Sequence, residues 1–373
     1  MQRSRAIVSR IVLAWALFLI GSGTAFADQF NHDYWRLPEF LEAHPEQAAL
    51  ARAFEEIVRA AGVPPNVEQQ APVRIFIVYP GLQQSDYWRR SVDSFESRMR
   101  ELGLEFEITE RFTKPGTDLR LQGTLIQEVI RTSPDYLIFT LDALRHQGMI
   151  DRVNSIGKTK IILQNITTPL RAFDGKQPFL YVGFDHLLGT RILAREYARR
   201  FPEGARYAVF FGPKGYVSQM RGNTFIEEME RRPGMDLRAS FYVNFDRARA
   251  RKAAKEILSR EPDLDFIYAC STDIALGVID AIDELGMQGK VLVNGWGGGS
   301  AELAAMRESK LAFSVMRMND DNGVAMAEAI SLDHQGKAEQ VPTVFSGDIV
   351  KIDGNMTEGD LKALEARAFR YSR

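Results

Sequence analysis

The sequence has very little cysteine and histidine, which excludes several kinds of site. Cys270 is the only cysteine among 373 residues, so no disulfide can form within the chain. It ends the apolar run 266–270, and this context predicts a buried, unreactive thiol. The five histidines are scattered, and no two of them have metal-ligand spacing. The sequence therefore predicts neither a disulfide scaffold nor a histidine-based metal centre.

Motifs for catalysis and nucleotide binding are also missing. No Gly-x-Ser-x-Gly nucleophile turn is present, and no phosphate loop or dinucleotide fingerprint follows the first predicted strand. The glycine-rich run 295–299 carries no lysine, and we interpret it as a flexible crossover that presents Trp296 to a cleft, with a plain loop as the alternative. The acid-amide run 319–322 lacks calcium-loop spacing and predicts a helix cap. We therefore expect a binding protein and not an enzyme.

The first 27 residues have the pattern of a secretory signal. Three arginines precede a short apolar run at 11–20, and Ala25 and Ala27 supply the small side chains that a signal peptidase recognises. We predict a signal peptide at 1–27 and a periplasmic mature protein, with an uncleaved anchor as the alternative. Its removal leaves 44 basic and 49 acidic side chains, a net charge of −5. Such mild acidity gives no reason to expect a nucleic acid as partner.

From Val73 onward, short apolar runs alternate with amphipathic segments. Runs such as 75–79, 136–139 and 207–211 have the length and composition of buried parallel strands. The segment 88–102 places apolar side chains on one helical face before a glycine. This alternation predicts an α/β fold with two doubly wound parallel-sheet lobes, joined by a hinge that the chain crosses several times.

Composition also suggests where the lobes begin and end. Residues 28–72 are punctuated by proline and lie outside the alternation, so we predict an N-terminal helical extension there. The polar connector 167–178 contains proline and glycine and is the predicted linker. The predicted lobes are 73–170 plus 296–342 (lobe 1) and 179–295 plus 343–373 (lobe 2).

Polar and aromatic side chains gather at the predicted carboxyl ends of the strands, where open parallel sheets bind ligands. Such a set can hydrogen-bond a polyhydroxylated molecule while aromatic faces cover its carbon skeleton. The candidate ligand-binding residues are Gln83, Ser85, Tyr87, Trp88, Thr140, Asp142, Asn165, Arg221, Ser271, Thr272, Asp273, Trp296 and Arg317. Some have structural alternatives, since Trp88 can belong to the core, Asp273 can cap a helix and Arg221 can be solvated. Their joint placement favours one shared pocket.

These residues also carry a resemblance to known proteins. The run Gln83–Trp88 after a Tyr-Pro-Gly turn, together with Arg221, 271–273, Trp296 and Arg317, resembles the LuxP family of periplasmic receptors for the quorum-sensing signal autoinducer-2. More broadly, the chain from Val73 to about Asp353 is similar to ribose-binding-type periplasmic binding proteins, which have two doubly wound lobes.

The narrower resemblance implies a signalling function. Its ligand would be a furanosyl borate diester, so borate would enter only as part of the ligand and no separate cofactor is expected. Gln83 and Ser85 would hydrogen-bond this ligand, and Arg221 and Arg317 would compensate its negative charge. The implied partner is the periplasmic domain of a LuxQ-type sensor histidine kinase. The broader resemblance implies the alternative, a pentose- or monosaccharide-binding component of an ABC transporter.

Overall fold

The computed structural model of the protein describes residues 33–143 and 145–373. The predicted signal peptide at 1–27 lies outside these residues. Within them, no helix combines the length and the apolar composition needed to cross a bilayer.

Two helices lie between Tyr34 and the first strand. They are α1 (Leu37–Ala43) and α2 (Pro45–Arg59). The fixed backbone of Pro45 suits the first position of α2, where no intrahelical N–H bond is lost. Phe54 and Val58 of α2 are fully buried, and the Phe54 ring meets Phe345 edge-on at 6.0 Å. The helices of the extension therefore pack on the first lobe, whereas Tyr34 ahead of them meets Tyr216 of the second lobe at 5.2 Å.

The first lobe contains a six-stranded parallel sheet. Its strands are β1 (Val73–Tyr79), β2 (Phe106–Phe112), β3 (Tyr136–Thr140), β4 (Lys160–Gln164), β5 (Leu180–Phe184) and β11 (Val344–Gly347). Its helices are α3 (Tyr87–Glu101), α4 (Leu119–Thr132), α5 (His146–Ile156) and α11 (Asp320–His334). The strand order is β11-β5-β4-β3-β1-β2. The predicted helix at 88–102 is present, and its apolar face, with Val92, Phe95 and Met99, is buried.

The second lobe contains a four-stranded parallel sheet extended by an antiparallel pair. Its strands are β6 (Ala205–Phe211), β7 (Met235–Tyr242), β8 (Phe266–Ala269), β9 (Leu292–Val293), β10 (Phe313–Arg317) and β12 (Ile349–Asp353). Its helices are α6 (His186–Arg200), α7 (Thr224–Glu230), α8 (Arg247–Arg260), α9 (Thr272–Glu284), α10 (Ser300–Arg307) and α12 (Glu358–Ala368). The sheet order is β7-β6-β8-β9, and bridges from Asn294 to Phe313 and from Gly297 to Met316 connect it to the β10-β12 pair. The predicted α/β fold with two lobes is confirmed.

Strand pairing corrects the predicted lobe boundaries at three segments. β5 and β11, predicted in lobe 2, lie side by side in the first sheet. β10, predicted in lobe 1, pairs with β12 in the second lobe. The chain therefore crosses between lobes after β5, between β10 and α11, and between β11 and β12.

The connector predicted as the linker does not join the lobes. It joins β4 to β5, which are neighbours in one sheet, and contains a 3-10 turn at Arg171–Phe173. Proline and glycine marked a loop correctly, but such a loop does not reveal whether the next strand enters the same sheet.

Candidate ligand-binding cleft

A cavity of about 410 Å³, partly open to solvent, lies between the two lobes at the carboxyl ends of the strands. Eleven of the thirteen predicted residues line it, namely Gln83, Ser85, Tyr87, Trp88, Asp142, Asn165, Arg221, Ser271, Thr272, Trp296 and Arg317. Pro80, Pro115, Val217 and Phe245 complete the lining and were not predicted. Thr140 and Asp273 lie outside the lining, and their contacts are described below.

The first lobe supplies an aromatic wall to this cavity. Tyr87 and Trp88 form the first turn of α3, and their rings meet edge-to-face at 4.7 Å. Asn322 on α11 donates a hydrogen bond to the Tyr87 hydroxyl at 2.8 Å. Trp88 also packs on Tyr79 at 4.6 Å, so it serves the core and the cavity together. Packing therefore fixes both rings before any ligand enters.

Asp142 is the buried carboxylate of the cavity. The hydroxyl of Thr140 donates to Oδ1 of Asp142 at 3.0 Å. Thr140 therefore supports a lining residue and does not line the cavity itself. The backbone N–H of Asp142 donates to Nδ1 of His146 at 3.1 Å. Burial raises the pKa of Asp142 to about 6, although Thr140 and the nearby Arg221 act in the opposite direction. This acid therefore changes charge near neutral pH.

Arg221 lies in a π-helical turn, Gln219–Asn223, that precedes α7. Its guanidinium donates to the carbonyl of Cys270 at 2.8 Å and stacks over the Trp296 ring at 3.6 Å. Its Nε donates to Nδ1 of His186 at 3.3 Å, and Nε2 of His186 lies 3.0 Å from the carbonyl oxygen of Asn165. Burial and the Arg221 charge hold the pKa of His186 well below its ordinary value, so the imidazole is neutral. Burial and Arg317 lower the pKa of Arg221 to about 9, which leaves it charged at neutral pH.

Arg317 ends β10 and reaches the same cavity. Its guanidinium lies 4.0 Å from the Tyr87 ring, and it is only 5% exposed. Its Nε and Oδ1 of Asn165 are buried polar atoms without a hydrogen-bond partner among the described residues. Within that part of the chain, neither Arg221 nor Arg317 has a carboxylate at ion-pair distance. Glu302 and Asp86 act on Arg317 only from a longer distance, so both guanidiniums favour a ligand that accepts hydrogen bonds from them.

A family model described as a periplasmic binding protein domain matches residues 75–338. This chain belongs to the periplasmic binding protein family. Among curated proteins, it is 24% identical to the ribose import binding protein of Bacillus subtilis over 64% of this chain and 77% of that protein. It is 21% identical to the D-ribose/D-allose-binding protein of Pseudomonas aeruginosa over 62% of this chain and 72% of that protein.

Solved structures share the fold of this periplasmic binding protein. A solute binding protein from Actinobacillus succinogenes with bound D-allose matches with a TM-score of 0.66 and 21% identity, over 79% of this chain and all of that chain. Another, from Agrobacterium vitis with bound D-fucose, matches with a TM-score of 0.70 and 13% identity, over 78% and 98% of the two chains. At these identities, the likeness shows the architecture alone.

Asp273 is predicted to bind the ligand or to cap a helix, and in this periplasmic binding protein its carboxylate neither lines the cavity nor caps a helix. Its carboxylate accepts the backbone N–H groups of Gln84 at 2.7 Å and Ser85 at 3.0 Å, across the cleft. The helix cap is supplied instead by Ser271, whose hydroxyl accepts from the Ile274 N–H at 3.4 Å. Asp273 thus binds the opposite lobe.

Two supporting residues, Glu302 and His186, were missed. The fully buried Glu302 accepts from the N–H groups of Trp296 at 2.8 Å and Gly298 at 2.9 Å, and from the Thr272 hydroxyl at 2.6 Å. It therefore fixes two lining residues. The sequence offered no signal for Glu302, since a glutamate in a helix is ordinarily solvated. His186 follows the carboxyl end of β5, so the rule used for the other strand ends applied to it as well.

Proposed function

We propose that this protein binds one small polyhydroxylated ligand of monosaccharide size between its lobes and presents it, unchanged, to an ABC-type importer. The relatives named for ribose and allose binding support a sugar as the ligand class. The cavity lies between the lobes and is lined by both of them, as sites for small polar ligands are in clefts. Its lining alternates hydrogen-bonding groups with aromatic faces, as a sugar ring requires.

The observation that carries this proposal is the convergence of both lobes on one cavity. Gln83, Ser85 and Asn165 come from the first lobe, and Ser271 and Thr272 come from the second. A ligand that fills the cavity is thereby enclosed by groups that move together only when the lobes close. Because a bound ligand joins both sides, its binding free energy favours the closed form.

A second candidate is favoured by the two buried arginines. The Arg221 and Arg317 side chains bring two positive charges to the cavity, with Asp142 as the one acid in its lining. This balance suits an anionic ligand such as the furanosyl borate diester form of autoinducer-2. In that case, the protein would relay closure to a sensor histidine kinase of the LuxQ type and not to an importer. A neutral sugar would use the same guanidiniums as hydroxyl donors.

Identifying the ligand separates these candidates. The mature protein is purified without refolding, denatured, and its released small molecules are analysed by mass spectrometry and boron determination. Titration calorimetry then compares D-ribose, D-allose and the autoinducer precursor, the last with and without borate. Tight binding of a monosaccharide that is indifferent to borate supports the import function. Binding of the precursor that strengthens with added borate, without sugar binding, replaces it with the signalling function.

A further inference from the structure

The loop after β1 is attached to the second lobe by hydrogen bonds that do not involve the cavity. Asp273, in the first turn of α9, accepts the N–H groups of Gln84 and Ser85 at 2.7 and 3.0 Å. The Asp273 side chain is 3% exposed and is absent from the cavity lining. The loop itself carries two lining residues, Gln83 and Ser85. The carboxylate therefore fixes the backbone from which those side chains reach the cavity.

A reciprocal contact runs from the first lobe to the second. The Asp86 carboxylate accepts from the N–H of Ser300 at 3.2 Å and from its hydroxyl at 2.8 Å, at the start of α10. Arg90 donates to Asp86 at 2.7 Å and to the Ser300 hydroxyl at 2.9 Å, and its guanidinium lies over the Phe369 ring at 3.9 Å. The Asp86 carboxylate approaches the backbone of the second lobe so closely at Gly299 that an added Cβ there would lie 2.2 Å from it.

We propose that Asp273 and Asp86 form an interlobe clasp: they are positioning residues that hold the loop 83–86 against the second lobe and maintain a populated closed form in the absence of ligand. This clasp does not depend on the proposed function, because its hydrogen bonds join the lobes directly and need no ligand to form. Each uses a carboxylate as the acceptor, which forms stronger hydrogen bonds than a neutral group does; the Asp273 bonds are partly buried, and the Asp86–Ser300 bonds are exposed.

The geometry of the hinge indicates where opening can be measured. The three crossings lie beside β5, β11, β10 and β12, at one edge of each sheet, whereas β2 and β7 form the opposite edges. Opening about that hinge moves the β2 and β7 edges apart the most. Arg120 on α4 and Lys252 on α8 are exposed on the two lobes and can carry spin labels as Arg120→Cys and Lys252→Cys. The native Cys270 is fully buried and stays unlabelled.

The experiment measures the distance between these labels by double electron–electron resonance in ligand-free mature protein, prepared by unfolding, dialysis and refolding. The labelled protein with an intact clasp is expected to show two distances between the labels, and the shorter one belongs to the closed form. Asp273→Asn and Asp86→Asn should each lower the ratio of closed to open protein by about tenfold, the factor expected for a weakened charged hydrogen bond. Asp280→Asn on α9 and Asp93→Asn on α3 are the matched controls, because neither carboxylate has an interlobe contact in the described structure.

Three results would overturn the clasp. One is a single long distance in the ligand-free wild type, since no closed form would then exist to be held. Another is an unchanged distance distribution in both clasp variants. The third is an equal loss of the short distance in the controls, which would mark a general effect of charge. Thermal melts of all variants identify any that fail to fold, and either clasp variant alone suffices for the test. No sugar or autoinducer enters this experiment, so its outcome is independent of the ligand's identity.

Discussion

The imidazole of His186 accepts a hydrogen bond from the guanidinium of Arg221 at 3.3 Å. Because the imidazole is neutral, it orients the guanidinium without cancelling its charge. The ring of Trp296, which lies 3.6 Å from the guanidinium, also orients it without cancelling its charge. The positive charge of Arg221 is therefore fixed in place and left available to a ligand oxygen.

Replacing His186 should weaken ligand binding although His186 is not among the residues that line the cavity. In His186→Ala, Arg221 loses an acceptor and gains rotamer freedom, so the dissociation constant should rise roughly tenfold, which corresponds to one lost hydrogen bond. His186→Gln offers an amide acceptor and should recover part of the affinity. Titration calorimetry measures both, with His44→Ala in the N-terminal extension as the control. Unchanged affinity in His186→Ala would show that Trp296 and Cys270 suffice to orient Arg221.

Replacing either arginine should have a larger effect. Arg221→Ala or Arg317→Ala removes charged hydrogen bonds to a desolvated ligand, each about 1.5–3 kcal/mol, and should weaken binding about 10- to 150-fold. Lysine should rescue only in part, because it keeps the charge and loses the planar donor geometry. Ligand-free thermal stability should change little, because the removal of a buried charge offsets the loss of the contacts with Cys270 and Trp296, or with Tyr87. If an alanine variant binds the ligand with wild-type affinity, the arginine that it lacks does not contact the ligand. If a variant melts at a much lower temperature without ligand, that arginine has a structural role.

The sequence predicted the cavity better than it predicted the lobes. The carboxyl ends of parallel strands meet at one edge, so residues far apart in sequence, such as Ser85, Arg221 and Arg317, were brought together by a general rule. Lobe membership of β5, β10 and β11 depends on which strand pairs with which, and periodicity carries no information on pairing partners. For the same reason, the sequence predicts Asp273 as a ligand or cap residue, whereas its partner is the backbone of the other lobe.

Removing Glu302 should destabilise the second lobe and disorganise the Trp296 loop. Glu302 accepts from four donors, and in Glu302→Ala the Ser314 hydroxyl keeps the carbonyl of Val315 as an acceptor. The other three donors are left without an acceptor in a buried site, namely the N–H groups of Trp296 and Gly298 and the hydroxyl of Thr272. At about 1 kcal/mol or more for each orphaned donor, the free energy of unfolding should fall by at least about 3 kcal/mol. Urea unfolding measures this loss. Glu308→Ala is the control, because its ion pair with Lys310 is exposed to solvent and should contribute little to stability.

The raised pKa of Asp142 makes stability depend on pH in a defined direction. Burial raises this pKa from 3.8 to about 6, so the folded protein holds the proton more tightly than the unfolded chain does. The resulting contribution of Asp142 to the free energy of unfolding is fully present below pH 3.8 and is lost as the pH rises through about 6. Its size is on the order of 3 kcal/mol, from roughly two pH units at 1.36 kcal/mol each. Urea unfolding from pH 4 to 7.5 should show this decline in the wild type and a flatter profile in Asp142→Asn. Asp151→Asn, an exposed change on α5, should keep the wild-type slope.

Ligand affinity should depend on the same carboxyl, with a sign that separates the two candidate ligands. An ionised Asp142 accepts hydrogen bonds from sugar hydroxyls, whereas the protonated acid accepts less strongly. For a neutral monosaccharide, we therefore expect affinity to rise from pH 5 to pH 7, by up to about tenfold per pH unit where binding requires the ionised form. A preformed borate diester would be repelled by the ionised acid, so the affinity for the diester itself would fall over the same range. Calorimetry across this range measures the slope for the monosaccharide or, after correction for the proton released when boric acid forms the diester, for the borate ligand, and Asp142→Asn should abolish either slope. A slope that survives in Asp142→Asn would assign the pH dependence to another group.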